Sequence, residues 1–211
     1  KMPEKFKNLN EINLIPEDIQ TTLRNLGLNL KDFKGKVLDI GAGDAEILDY
    51  LNKNTEADIV GIDINVPEEL KDKLTNADIR HLPFPDNTFD MSFSHASIPN
   101  VFIDEYSFED PKVGEENIYE STKKALSEIF RTLKFGGTAY LAPISLSELY
   151  DSEKAKKNSL EKVIDELRLE NKDIQIDLNF IETQTDKHSN ETRDYYRLVI
   201  YKIPDVKNQK P

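Results

Sequence analysis

Cysteine and tryptophan are both absent from the 211 residues, and only two methionines and three histidines occur. Without cysteine there are no disulfides, no thiolate metal sites and no thiol nucleophile, which fits a cytoplasmic protein. The histidines His81, His95 and His188 show no metal-ligand spacing, so no metal site is expected. No apolar run approaches the roughly 20 residues that span a bilayer, and no targeting pattern opens the sequence, so no membrane insertion is expected. Basic residues are outnumbered: 28 Lys and Arg stand against 40 Asp and Glu, for a formal net charge of −12. That balance counts against nucleic acid as a partner, because phosphates are bound largely through Lys and Arg. The acidity reads as solubility. What is present, 37% hydrophobic and 32% charged residues, suffices for one α/β domain with a full core.

That core is organised around Val37-Leu38-Asp39-Ile40-Gly41-Ala42-Gly43. An apolar pair runs into an acid and then a two-glycine turn, after which Ala45, Ile47, Leu48 and Leu51 fall at helical spacing. Strand, glycine turn and helix form the first crossover of a nucleotide-type sheet, with a backbone free to lie against a ligand. Twenty residues after Gly43, Ile59-Val60-Gly61-Ile62 ends at Asp63, a carboxylate suited to both ribose hydroxyls of an adenosine ligand. The choice of ligand follows from what surrounds the turn. Glu46 stands where a dinucleotide fingerprint needs its third glycine, and the Gly-Lys-Ser/Thr of a phosphate loop is absent. Asp44 and Glu46 answer the helix dipole themselves, so a pyrophosphate there would meet two carboxylates. A phosphate-free ligand with a sulfonium and an amino group would not be repelled, which favours S-adenosylmethionine (SAM) over a nicotinamide dinucleotide.

Asp39 to Ala45 resembles the first motif of the class I SAM-dependent methyltransferases, with Ala45 where many members carry a third glycine. The position is expected within the helix start, where the departure would be mild. Ala77-Asp78-Ile79-Arg80-His81-Leu82-Pro83-Phe84 through Phe89-Asp90 resembles the family's passage from third to fourth strand. Leu133-Lys134-Phe135-Gly136-Gly137 resembles its Leu-Lys-Pro-Gly-Gly segment, with Phe135 for the proline. Within the family the likeness is to the branch with quinone- and small-molecule-modifying enzymes. The resemblance implies that Asp78 accepts from the adenine amino group and that the Ile79 amide faces the ring. Ile64, Ile79 and Leu82 then supply apolar walls. Asp39 accepts from the methionyl amino group, directly or through water. Gly41, Ala42 and Gly43 make room for the cofactor, and Ser94 joins the residues around it. His95 ends the fourth strand, where chemistry occurs in open α/β sheets. Its ordinary pKa suits it to take a proton from the acceptor; the other reading is that it packs on the cofactor. Asn-Pro-Pro-Tyr and Asp-Pro-Pro-Tyr are absent here, which lowers DNA and amide-nitrogen acceptors.

Around these motifs, Pro16-Glu17-Asp18 opens a helix with Ile19, Leu23 and Leu26 on one face and Gly27 as its C-cap, either a lid or a helix packed on the sheet. Leu70 and Leu74, after Pro67, read as a short helix. Residues 99–116, with Phe102, Tyr106 and Phe108, read as a substrate lid. A helical period is clear from Ile118 to Leu133, and another through Leu160, Val163, Ile164 and Leu167. Ile174 to Phe180 and Tyr195 to Ile203 read as strands joined by a hairpin. The expectation is one domain over 1–211, with 1–34 helical and 205–211 frayed. Its fold is a doubly wound, mostly parallel seven-stranded sheet with an antiparallel last strand. The expected activity is methyl transfer from SAM to a small-molecule acceptor (O, N or C), leaving S-adenosylhomocysteine (SAH). The rivals are a catalytically silent SAM-binding module and a nicotinamide oxidoreductase, the latter disfavoured by Glu46 and the terminal hairpin.

Overall fold

The structure is a computed structural model and describes residues 15–98, 110–145, 151–185 and 192–204. Seven strands form one sheet: β1 Lys36–Ile40, β2 Asp58–Asp63, β3 Leu74–Asn76, β4 Phe89–His95, β5 Leu133–Ser145, β6 Ile174–Thr185 and β7 Thr192–Lys202. Their spatial order is β3-β2-β1-β4-β5-β7-β6. The pairs from β3 to β5 are parallel, and β7 runs antiparallel to both its neighbours. The order reverses at β1, between β2 and β4, and a reversal of this kind opens a crevice at the strands' carboxyl ends.

Helices cover both faces. α1 (Glu17–Leu26) and α2 (Glu46–Asn54) pack on one, and α3 (Pro111–Thr132) and α4 (Asp151–Glu170) on the other. The first face is sealed by Ile19, Leu23 and Leu26 of α1 and Leu48 and Leu51 of α2 against Val37, Met91 and Phe93 of the sheet. The second is sealed by Ala125, Leu126 and Ile129 of α3 and Leu160, Val163 and Leu167 of α4 against Leu38, Leu141, Leu198 and Ile200. Both sides of the strands are therefore apolar, as a buried parallel sheet requires. α1 ends at Gly27 with φ +67°, where the Leu28 amide donates to the Leu23 carbonyl at 2.9 Å.

Three local readings of the sequence need correction. Leu70 and Leu74 do not share a helix: Glu68–Leu70 is one 3-10 turn, and Leu74 is the buried first residue of β3. α3 begins at Pro111 rather than Ile118, because the Asp110 carboxylate accepts from the Lys112 and Val113 amides at 3.1 and 3.5 Å and Pro111 takes the first helical position. Hence 111–116 are helix, and the rest of the expected lid, 99–109, lies outside the described residues. Ala45 is not within the helix: it is the N-cap of α2, with φ +66°. A left-handed backbone at this position is where a glycine would be unstrained, so the alanine costs roughly 1–2 kcal/mol. Its fully buried methyl offsets part of that through contacts in the α2 core.

One charge is buried in the frame. Lys202, 6% exposed at the end of β7, donates to the Phe130 and Leu133 carbonyls at 3.2 and 3.0 Å and to Asn87 Oδ1 at 2.9 Å. It caps the C-terminus of α3, whose carbonyls have no helical partner and carry the negative end of the dipole. The Phe130 and Phe135 rings lie 4.8 and 4.9 Å from its Nζ.

Candidate cofactor site

The carboxyl ends of β1, β2 and β4 meet around the 41–43 turn. Gly41 and Ala42 both donate to the Ile62 carbonyl at 2.9 Å, so the turn is folded back on β2. The two glycines are there for different reasons. A Cβ on Gly41, which has φ +75°, would lie 2.1 Å from Ser97 Oγ, so this glycine admits the loop after β4. Gly43 has φ +54°, and a Cβ there would meet nothing within 4 Å. Its missing side chain leaves open space beside the strand ends, which is the room a ligand needs.

Asp39 faces that crevice. Its side chain is 3% exposed, and Oδ2 is buried without a hydrogen-bond partner. Burial, then the nearby Asp63 charge, pushes its carboxyl pKa up to about 8. A buried carboxylate without a counter-charge is costly, and the cost is relieved by a cation arriving from outside. Asp63 ends β2 half-buried: Oδ2 accepts from the Gly43 amide at 3.0 Å and Oδ1 from the Asn65 amide at 3.0 Å. Each oxygen keeps a further acceptor place. Ile64 beside it is 55% exposed, a large apolar side chain open to the crevice mouth. Asp44 Oδ1 accepts from the Glu46 amide at 3.2 Å, so the start of α2 supplies its own acceptor.

Asp78 caps a single 3-10 turn, Ile79–His81, accepting from the Arg80 amide at 2.8 Å. The Arg80 guanidinium grips the same carboxylate through Nε, at 3.0 Å from each oxygen, and Nη2, at 2.6 Å from Oδ2. The Arg80 hydrogen bonds hold the carboxyl below the usual range, against a smaller opposing effect of burial. Ile79 and Leu82 are 9% and 5% exposed and belong mainly to the core. His95 ends β4 with its ring between two α1 side chains: Nδ1 is 3.3 Å from Thr22 Oγ1 and Nε2 is 3.1 Å from Asn25 Nδ2. Burial lowers its pKa and holds it neutral at pH 7. Ser94 is 1% exposed with an unpartnered hydroxyl. It points to the opposite face from Asp39, since Asp39 pairs in register with Phe93.

Residues 38–141 match the family described as a methyltransferase domain. Residues 38–141 thus carry a methyltransferase domain, and the sheet around them has the Rossmann-like methyltransferase fold. A mouse protein, eEF1A lysine and N-terminal methyltransferase, is 32% identical over 133 residues, 58% of this chain. The chain spans 18% of that protein's length. A SAM-dependent methyltransferase from Methanosarcina mazei shares the fold with a TM-score of 0.56 at 15% identity, covering 90% of this chain and 99% of that one. Phosphoethanolamine N-methyltransferase 2 from Haemonchus contortus, solved with phosphomonomethylethanolamine and SAH, gives 0.53 at 14% identity over 88% of this chain and 52% of that one. SpnF, a [4+2]-cyclase, gives 0.54 at 14% identity over 88% and 80%, so the architecture does not by itself fix the reaction.

SAM is the cofactor of such a methyltransferase domain, and the residues present fit it. An ammonium would answer the unpartnered Asp39 Oδ2, and the open space at Gly43 accommodates a chain between the two acids. Among the described residues no cluster of three metal-ligating side chains occurs, and no helix is long and apolar enough to cross a membrane. Sequence reasoning missed three sets of contacts: Ser97 filling Gly41, Arg80 on Asp78, and Thr22 and Asn25 on His95. Arg80 had a signal, since an Asx turn places residues two apart together; the other two are tertiary contacts without one.

Gly43→Ala separates fold from site. Thermal melts should show a loss of about 1 kcal/mol from the left-handed backbone. Calorimetric titration should show SAH affinity falling about tenfold or more, as a methyl group enters ligand space.

Proposed function

We propose that this chain transfers a methyl group from SAM to a small-molecule acceptor with an O, N or C nucleophile. The observation that carries the reading is Asp39: a buried carboxylate with one oxygen unpartnered at the crevice of an adenosine-type turn. Asp39 takes the cofactor's ammonium, Asp63 the ribose hydroxyls and Asp78 the adenine amino group, while Ile64 walls the ring. When bound, SAM supplies an electrophilic methyl on its sulfonium. The domain then holds an acceptor in line with that methyl and excludes water. His95 is neutral at pH 7, the form a proton acceptor needs, and takes a proton once Nε2 exchanges Asn25 for the acceptor. The mouse relative's name favours a second reading, in which the acceptor is a protein amine.

Calorimetric titration with SAM, SAH and NADH on wild type and Asp63→Ala comes first. Binding of the two sulfur compounds alone, weakened in the variant, is expected; NADH binding would overturn the reading. Incubation of a cell extract with methyl-labelled SAM then separates the acceptors. Label in the small-molecule fraction supports the proposal, label retained on protein supports the second reading, and binding without transfer marks a silent module. With an acceptor in hand, His95→Gln is expected to lower kcat about a hundredfold with KM for SAM little changed.

A further inference from the structure

We propose that Arg80 is a positioning residue of the adenine pocket: its guanidinium, braced on Ser121 of α3, fixes the Asp78 carboxylate in one orientation as an acceptor. The proposal rests on the reading of Asp78 as acceptor for the adenine amino group. The geometry is a closed fork. Arg80 gives its own amide, Nε and Nη2 to the two Asp78 oxygens, and its Nη1 donates to Ser121 Oγ at 3.1 Å. A carboxylate has about four acceptor places. Three N–H groups of one residue engage both oxygens, Nε lying 3.0 Å from each, and set the plane of the carboxylate, because guanidinium and carboxylate bind edge to edge. The pair is partly sheltered, with side-chain exposures of 26% and 28%.

The restriction selects for purine type. A free aspartate at this place could turn away from the ring and, toward acid pH, take up a proton and donate, and so serve either an amino or an oxo purine. Held as an acceptor only, Asp78 matches the adenine N–H and repels the oxygen of a 6-oxo purine. Leaving a site's polar group facing the wrong partner carries a large penalty, so the fork acts on specificity as well as affinity. Among the described residues the other charges about the pair are His81 on the same turn and Glu120, Lys123, Lys124 and Glu128 of α3, which line the cleft beside Arg80. All of them remain when Arg80 alone is changed.

The test uses the full chain and titrates SAH and its 6-oxo analogue, S-inosylhomocysteine, against wild type, Arg80→Gln and Arg80→Lys across acid to neutral pH. Thermal melting monitors folding. In Arg80→Gln the preference for SAH should fall about tenfold toward acid pH, and SAH affinity should begin to drop at a higher pH, as Asp78 returns to the ordinary carboxylate range. Arg80→Lys keeps the charge without the fork; it should recover most of the pH behaviour and little of the preference. If Arg80→Gln does not fold, the lysine variant alone decides through the preference. An unchanged preference overturns the proposal, as does an equal loss of affinity for both ligands at every pH. Failure of wild type to bind SAH at all would instead remove the cofactor reading, and the proposal with it.

Discussion

Asp39→Asn is expected to yield a more stable protein with a crippled cofactor site, and the gain in stability should widen as pH rises. In the unfolded chain an aspartate titrates near pH 3.9, on the usual scale. In the fold, burial and the Asp63 charge carry Asp39 up to about 8. Between those values the folded state binds the extra proton, so stability falls with increasing pH, by up to about 1.4 kcal/mol per unit, and levels off above the folded pKa. The amide has no charge to bury, so this slope disappears. Urea melts at about pH 5, 7 and 9 should show a difference growing to several kcal/mol, measured at constant m. The carboxylates held low, Asp78 by Arg80 and Glu128 by Arg131, act in a separate window. Their contributions are complete above the ordinary carboxylate pKa and are lost as pH falls below about 4. Loss of the charge that meets an ammonium should cost SAH affinity about ten- to a hundredfold. A wild-type protein with flat stability between pH 5 and about 8 would defeat this account.

Lys202→Met carries the largest expected loss of stability, about 3 kcal/mol by denaturant melts, with cofactor affinity unchanged in the molecules that remain folded. The thioether matches the aliphatic stem but donates nothing. The Phe130 and Leu133 carbonyls then sit buried without this donor, and Asn87 Oδ1 loses its bond to the lysine. Burial depresses the pKa of this ammonium, which among the described residues sits against carbonyl and amide oxygens rather than in an ion pair. Lys202→Arg is the control: it keeps a charge but overfills the space between the two rings, and should also destabilise.

The sheet was legible because its strands are apolar on both sides and its turns fall at glycines. That Asp39 and Asp63 lie at the carboxyl ends of β1 and β2 was legible because the apolar runs stop there. The limits of α1 follow directly from Pro16 and Gly27. What escaped has a common physical origin. Leu70 and Leu74 satisfy a helical spacing over too few residues to distinguish one 3-10 turn from a strand start. The N-cap geometry of Ala45 is set by the return of the 41–43 turn to Ile62, a tertiary constraint. Thr22 and Asn25 read as polar positions of an ordinary helix, and only the packed fold brings them to His95, over 70 residues away. Ser94 lies on the other face from Asp39 because strand alternation, rather than proximity in sequence, decides which neighbours share a site.

The fastening of α1 also dictates an order of assembly. Arg197 of β7 donates from Nε to the Asn25 carbonyl at 2.7 Å and from Nη2 to the Arg24 carbonyl at 3.1 Å, across 172 and 173 residues of chain. Its guanidinium occupies the space that a Cβ on Gly27 would take. The strand that supplies this arginine slots between β5 and β6. During synthesis α1 therefore emerges first among the described elements and is pinned last, when the chain's final strand closes the sheet. Until then α1 is held by its apolar stripe of Ile19, Leu23 and Leu26 against Val37, Met91 and Phe93, and by Thr22 and Asn25 at the His95 ring. A nascent chain halted before β7 would hold a glycine turn, two acids and most of the core, yet lack the arginine clamp on the C-terminal end of α1.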